Sequence, residues 1–247
     1  MSAIDVAQRR INDSIGKIFT LEEYPKFLSF SSNFLKFSYK NIILIYLQDS
    51  KAKYVAGINA WKNLTGLKIK KGTTPILILY PSLSSGFKYE VQKLFDFRFL
   101  DNENISEDIV KKSINKCDKL FQAMQHYLES LKISVYPMDD METPVCFDEG
   151  IISVNATLSD EEKFIEVLKL FIEEEIRNKD YDNLVSGSII NSSIYLIHSY
   201  YGLDTSKIVF PYIKLPMNND SKHLILSQSF LLSNKITENL DSFKTGR

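Results

Sequence analysis

The sequence contains few of the residues from which disulfide frameworks and metal sites are built. Its 247 residues include two cysteines and three histidines. The cysteines, Cys117 and Cys146, lie far apart and match no metal-ligand spacing. Cysteines this sparse are typical of reduced cytoplasmic proteins, so we expect a cytoplasmic chain that carries no cofactor.

Long apolar runs are missing as well. The run from Ile42 to Leu47 is far shorter than the roughly 20 apolar residues that span a bilayer. The first ten residues do not form the apolar stretch of a secretory signal peptide. The sequence also lacks a glycine-rich phosphate loop and a Gly-x-Ser-x-Gly nucleophile motif. We therefore expect no membrane contact, and we expect no catalytic group of the kinds that these two motifs provide.

The net charge of −1 conceals two halves of opposite charge. Residues 1–100 contain 15 Lys and Arg against 7 Asp and Glu, a net of +8. Residues 101–247 contain 15 against 24, a net of −9. A basic half is the electrostatic signature of a polyanion binder, although an ordinary surface with uneven charge would give the same count.

Hydrophobic periodicity predicts an α+β protein with two domains. In the first domain, residues 1–100, it predicts helices and two strands, Thr74–Tyr80 and Tyr89–Leu100. The acidic stretch Asp101–Glu107 marks the boundary. The second domain, residues 101–247, is predicted to be mainly helical, with helices over Ile109–Leu131, Ser159–Arg177 and Ile189–Tyr201 and a last helix from Ser221.

Four short motifs follow one another in the first half. An aromatic-Ser-Tyr-x-Asn stretch starts at Phe37, and Val55 begins Val-Ala-Gly-x-x-x-Trp. Lys70-Lys-Gly72 precedes an apolar strand, and Leu94-Phe-Asp-Phe97 closes the series. In order and spacing these motifs resemble the N-terminal single-stranded-DNA-binding domain of ArdC-type antirestriction proteins, over residues 20–100.

The resemblance implies that the first domain binds single-stranded DNA. Aromatic rings would stack on bases, each stack contributing about 1–3 kcal/mol, and lysines would neutralise phosphates. The candidate residues are Lys36, Tyr39, Lys40, Asn41, Tyr54, Trp61, Lys62, Lys68, Lys70 and Lys71. Two structural alternatives stay open: Trp61, the one tryptophan, as a core residue, and Asn41 as a residue that hydrogen-bonds a loop.

The second half resembles the zincin-like metallopeptidase domain that follows in the same family. Ile151–Asn155 matches its strand, but the His-Glu-x-x-His helix is replaced by Ile172-Glu-Glu-Glu-Ile176. Isoleucine has no lone pair, so neither zinc-binding position can hold the ion. The third ligand position falls near Asn191, with Gly187 one turn earlier, and neither replaces it. The resemblance thus implies a degenerate domain that is not an enzyme and has no catalytic or metal residues.

Two main hypotheses for function follow. The first is a non-catalytic single-stranded-DNA-binding protein of a plasmid or phage, with an antirestriction or anti-defence role that protects incoming DNA. The alternative is an inhibitor that binds a host defence nuclease through the acidic second domain, where a net charge of −9 would face a basic partner. Single-stranded DNA and a host defence protein are the corresponding partners. A divergent hydrolase, the third hypothesis, would require stoichiometric bound metal.

Overall fold

The computed structural model describes residues 2–81, 89–101 and 116–243. The chain divides into two compact units. The first comprises Met1–Ile114 with Ile213–His223, and the second comprises Asn115–Tyr212 with Leu224–Arg247. Among the helices of the described ranges, none is both long and apolar enough to cross a membrane.

In the described part of residues 1–101, the first unit contains four α-helices: α1 (Ala3–Ile18), α2 (Glu23–Ser31), α3 (Tyr39–Gln48) and α4 (Ile58–Thr65). Local signals define their ends. The Ser38 hydroxyl accepts a hydrogen bond from the Asn41 N–H and caps α3. Gly66 ends α4 in the left-handed conformation, with φ at 73°. The buried faces of α1, α2 and α3 contribute to this unit's apolar core, with residues that include Ile15, Phe27 and Ile42.

A three-stranded sheet completes the first unit, with strands β1 (Val55–Ala56), β2 (Ile76–Pro81) and β3 (Tyr89–Asp96) in the order β1-β3-β2. Both pairings are antiparallel. Ile76 faces Leu94 across the β2–β3 pair and Tyr80 faces Glu90, and a residue pair that faces across strands shares one side of the sheet.

The second unit is mainly helical. Its helices are α5 (Leu120–Ser130), α6 (Asp160–Arg177), α7 (Asn183–Tyr201) and α8 (Asn219–Ser242), of which the last begins in the first unit. A capping box at Ser159 starts α6: its hydroxyl accepts from the Glu162 N–H, and the Glu162 carboxylate accepts from the Ser159 N–H.

The sheet of the second unit has the strand order β4-β6-β5, built from β4 (Ser134–Met138), β5 (Val145–Asp148) and β6 (Ile151–Asn155). Strand β4 runs parallel to β6, and β5 runs antiparallel to it. The buried side chains of this sheet include Val135, Ile152 and Val154.

One carboxylate ties the end of α8 to the end of α7. Asp241 accepts hydrogen bonds from the Tyr200 hydroxyl at 2.6 Å, the Tyr201 hydroxyl at 2.9 Å and the Cys117 N–H at 3.0 Å. Burial, followed by the hydrogen bond to Asp241 and the charge of that carboxylate, raises the pKa of Tyr200. Burial and Asp241 likewise raise the pKa of Tyr201.

The predicted α+β class, with a mainly helical second half, is confirmed. Strand β5 was not predicted from the sequence. The helix predicted over Ile109–Leu131 is observed as α5, Leu120–Ser130, and residues 109–115 of that prediction lie outside the described residues. The boundary predicted between residues 100 and 101 stays a prediction, since it adjoins the same undescribed stretch.

Candidate nucleic-acid interface

Trp61 lies inside the first unit and not on its surface. Only 2% of the residue is exposed, and it packs with Phe97 and Leu100 in a small apolar cluster. Its indole N–H donates a 2.7 Å hydrogen bond to the Phe95 carbonyl. A buried ring whose polar atom is already hydrogen-bonded offers no open face to a base. The structure therefore favours the alternative interpretation, in which Trp61 is a core residue.

Tyr54 occupies the edge of the same cluster. Its ring is half-buried and meets Phe97 edge-on, with ring centroids 5.6 Å apart. Its backbone is held on both sides: the N–H donates to the Asp96 carboxylate at 3.2 Å, and the carbonyl accepts from the Phe97 N–H at 3.0 Å. Tyr54 therefore presents only part of its ring to solvent.

The buried Asp96 carboxylate organises this region. Its Oδ2 accepts from the Lys53 N–H at 2.7 Å and from the Tyr54 N–H, and its Oδ1 accepts from the Arg98 N–H at 3.1 Å and from Arg98 Nε at 2.5 Å. Arg98 continues to Asp49 Oδ2 at 2.5 Å. The Asp96 carboxylate thus connects the residues just before β1 with the end of β3 and, through Arg98, with the C-terminal end of α3. Sequence reasoning found Asp96 only as a motif position.

Four of the predicted lysines are exposed and lie within one ten-residue stretch of the chain. We call them the lysine edge: Lys62, Lys68, Lys70 and Lys71. The segment 68–70 runs antiparallel to residues 99–101, with the Lys70 N–H donating to the Phe99 carbonyl and the Asp101 N–H donating to the Lys68 carbonyl. Because side chains alternate along an extended segment, Ile69 packs into the Trp61 cluster while Lys68 and Lys70 point away from it.

The remaining members of the lysine edge lie at its two ends. Lys62 is on the last turn of α4, where its carbonyl accepts from the Gly66 N–H at 2.9 Å. Lys71 precedes Gly72, whose φ of 79° turns the chain. Within the described residues, no carboxylate lies at ion-pair distance from any of the four, whereas Lys26 in the same unit pairs with Glu22 at 2.8 Å.

The other predicted residues gather at the N-terminal end of α3. Lys36 and Lys40 are exposed. Tyr39 is half-buried, and its hydroxyl lies 3.2 Å from Nδ1 of His223, whose Nε2 lies 3.2 Å from Oδ1 of Asn12. Since an amide oxygen only accepts, Nε2 carries the proton and the Tyr39 hydroxyl donates to Nδ1. This chain of hydrogen bonds fixes Tyr39 against α1 and α8.

Asn41 has a structural role that uses its whole amide. Its Nδ2 donates to the Leu79 carbonyl at 2.8 Å, and its Oδ1 accepts from the Leu79 N–H at 3.0 Å. Gln48, two helical turns later on α3, makes the same pair of bonds to Leu77. The two amides cover the open edge of β2, which would otherwise expose unpaired backbone groups. The Asn41 amide is therefore committed to the β2 edge, and the nucleic-acid contact predicted for it stays a prediction.

The structure separates the predicted residues into two groups along α3. Lys68 and Lys70 of the lysine edge pair with residues 99–101, directly after Arg98, and Arg98 reaches Asp49 at the C-terminal end of α3. Lys36, Tyr39 and Lys40 lie at the N-terminal end, and a ten-residue helix is about 15 Å long. A single strand several nucleotides long could contact both groups, but one base could not.

In the second unit, apolar side chains occupy the positions where the motif resemblance would place zinc ligands. Ile172 is 0% exposed and Ile176 is buried on the same face of α6. Asn191 donates from Nδ2 to the Val209 carbonyl at 3.0 Å, and Gly187 faces the ring of Tyr212. The part of the chain that the structure describes contains no group of three or more His, Cys, Asp or Glu side chains able to hold a metal ion.

The histidine of α7 is likewise a core residue. His198 is buried, and its Nδ1 lies 3.0 Å from the Asp204 carbonyl, so Nδ1 carries the proton. Burial lowers the pKa of His198 below its ordinary value, against the opposing effect of the Asp204 carbonyl. A neutral imidazole is therefore the form that packs here.

Comparisons with known proteins give one structural likeness. No protein-family model matches the chain, and a search of curated proteins finds no match. Among solved structures, the chain is similar to the antirestriction protein ArdC from plasmid R388, in a metal-free crystal structure. The identity is 13% and the TM-score 0.45, over 83% of this chain and 86% of that chain.

Proposed function

We propose that the chain is a non-catalytic single-stranded-DNA-binding protein, with an antirestriction role toward the incoming DNA of a plasmid or phage. The DNA-binding part of this proposal rests on the lysine edge and on the motif resemblance of the first half. The antirestriction part rests on that resemblance alone. In this proposal the second unit is a scaffold, because isoleucines fill its former ligand positions.

The observation that carries the proposal is the orientation of Lys68 and Lys70. They extend to the same side of a segment whose backbone is paired with residues 99–101 and whose intervening Ile69 is held by the apolar cluster. Their ammonium groups have no carboxylate partner among the described residues. Cations that are fixed at the backbone and unpaired in the free protein can exchange counterions for phosphates without first breaking an ion pair.

The test is fluorescence anisotropy with a labelled oligothymidylate and with a duplex, across a salt series. We expect preferential binding of the single strand, with log K falling linearly as log salt rises. The triple variant Lys68→Ala, Lys70→Ala and Lys71→Ala should reduce that slope by about 2, since each phosphate contact to a single strand contributes about 0.7. Lys26→Ala is the control, because its ammonium group is already paired with Glu22.

Two results would contradict the proposal. One is the absence of single-strand binding even at low salt. The other is a triple variant that keeps the wild-type salt slope. If the full-length triple variant also retained capture of a host defence nuclease, the inhibitor hypothesis, in which the acidic half binds a protein, would replace this one.

A further inference from the structure

The three rings predicted to stack on bases are all less exposed than Tyr80. Trp61 is buried, and Tyr39 and Tyr54 are half-buried with ring or hydroxyl partners. Tyr80, on β2, is 52% exposed. Among the described residues its ring contacts no other ring and its hydroxyl has no hydrogen-bond partner. It is an aromatic surface with no evident structural use.

The backbone beneath Tyr80 is unusually well fixed for an exposed position. On one side, β2 pairs with β3, where Tyr80 faces Glu90. On the other side, the Asn41 amide holds both polar groups of the adjacent Leu79. The ring therefore stands on a strand that is hydrogen-bonded along both edges, so less conformational entropy is lost when a base stacks on it.

Two lysines lie at the N-terminal end of α3, the helix whose Asn41 is hydrogen-bonded to the strand that carries this ring. Asn41 bonds directly to Leu79, so Lys40, which precedes Asn41, and Tyr80, which follows Leu79, are each one residue from that contact. The Lys40 Nζ lies 6.0 Å from the centroid of the neighbouring Tyr39 ring. Lys36 precedes the same helix end, and no carboxylate pairs with either lysine within the described ranges. On the opposite side, Glu90 carries the one carboxylate that faces Tyr80 across the strands. Charge thus favours a phosphate on the α3 side of the ring.

We propose that Tyr80 is a base-stacking residue of the single-strand site, with Lys36 and Lys40 binding the flanking phosphates. This inference rests on the proposed function and gives the N-terminal end of α3 its role: a second contact point for a strand that also follows the lysine edge. It replaces Trp61 as the aromatic platform.

The experiment uses the full-length chain and an oligothymidylate. We expect Tyr80→Ala to weaken binding by about 5- to 150-fold, the usual effect of removing one stacked ring, without changing the salt slope. Tyr80→Phe should bind within about twofold of wild type, because the ring is kept. Lys36→Ala with Lys40→Ala should lower the salt slope by about 1.4. Circular dichroism of each variant checks that the fold is unchanged.

Tyr89→Ala is the matched control. Tyr89 is 49% exposed on the neighbouring strand, but it faces Pro81 and so lies on the other side of the sheet. Binding by Tyr89→Ala should equal that of wild type. The inference is overturned if wild type binds and Tyr80→Ala binds equally well, or if Tyr89→Ala is weakened as much. If wild type itself does not bind the single strand, the proposed function fails and this inference fails with it.

Discussion

Replacement of Asp96 by asparagine should destabilise the first unit more than any exposed substitution in it. The wild-type carboxylate is fully buried and accepts four hydrogen bonds, two at each oxygen. Asparagine keeps the shape but turns one oxygen into an NH₂ group. In either orientation, that NH₂ group would face two N–H donors, so two favourable contacts become donor–donor contacts.

The magnitude follows from the contacts that are lost. Removing one partner of a buried ion pair costs about 3–5 kcal/mol, because the remaining charge stays desolvated. Here Arg98 keeps Asp49, at 2.5 Å, which reduces the loss. Two hydrogen bonds to a charged acceptor contribute about 1.5–3 kcal/mol each. We therefore expect the free energy of unfolding to fall by about 3–5 kcal/mol, a large part of the roughly 5–15 kcal/mol of a typical domain.

The assay is urea unfolding at neutral pH, followed by far-ultraviolet circular dichroism and by the fluorescence of Trp61. Because Trp61 donates to Phe95, next to Asp96, its emission reports the region directly. Asp49→Asn is the control. It removes the more exposed end of the same network, and we expect a loss of about 1 kcal/mol. A loss below 1 kcal/mol for Asp96→Asn, or equal losses for the two variants, would refute this account of the carboxylate.

Three further predictions concern the second unit. The pKa values of Tyr200 and Tyr201 are raised in the folded state, so these hydroxyls ionise at lower pH in the unfolded chain. The free energy of unfolding should therefore be at its full value below about pH 10 and fall above it. Tyr201→Phe should make that fall less steep, as measured by urea midpoints up to about pH 11. The pKa of His198 is lowered in the folded state, so its contribution to the free energy of unfolding is full above the unfolded pKa near 6.5 and is lost as pH falls. Between about pH 7 and pH 5, His198→Asn should lose less stability than wild type. An identical loss would refute the assignment. A Cβ at Gly187 would lie 2.2 Å from Tyr212 Cε2. Gly187→Ala should therefore destabilise wild type more than it destabilises the Tyr212→Ala variant, with a coupling free energy of about 1–3 kcal/mol in a double-mutant cycle. Additive effects would show that the Tyr212 ring moves away instead.

Local signals in the sequence were sufficient for several helix ends and for the exposure of the lysine edge. Ser38, Gly66 and the Ser159 capping box mark helix ends through bonds between residues no more than four apart, so the sequence alone identifies them. The exposure of Lys68 and Lys70 follows in the same way from their alternation with Ile69 along one extended segment.

Tertiary structure decided which polar and aromatic side chains remain available. Trp61 and Asn41 look like surface groups in the motif, but their partners, Phe95 and Leu79, are more than 30 residues away. The exposure of Tyr80 also depends on a distant element, since α3 covers the edge of β2 and leaves the ring uncovered. Periodicity describes neighbours along the chain, whereas the burial of a given ring depends on which remote segment packs over it; only the folded chain determines that.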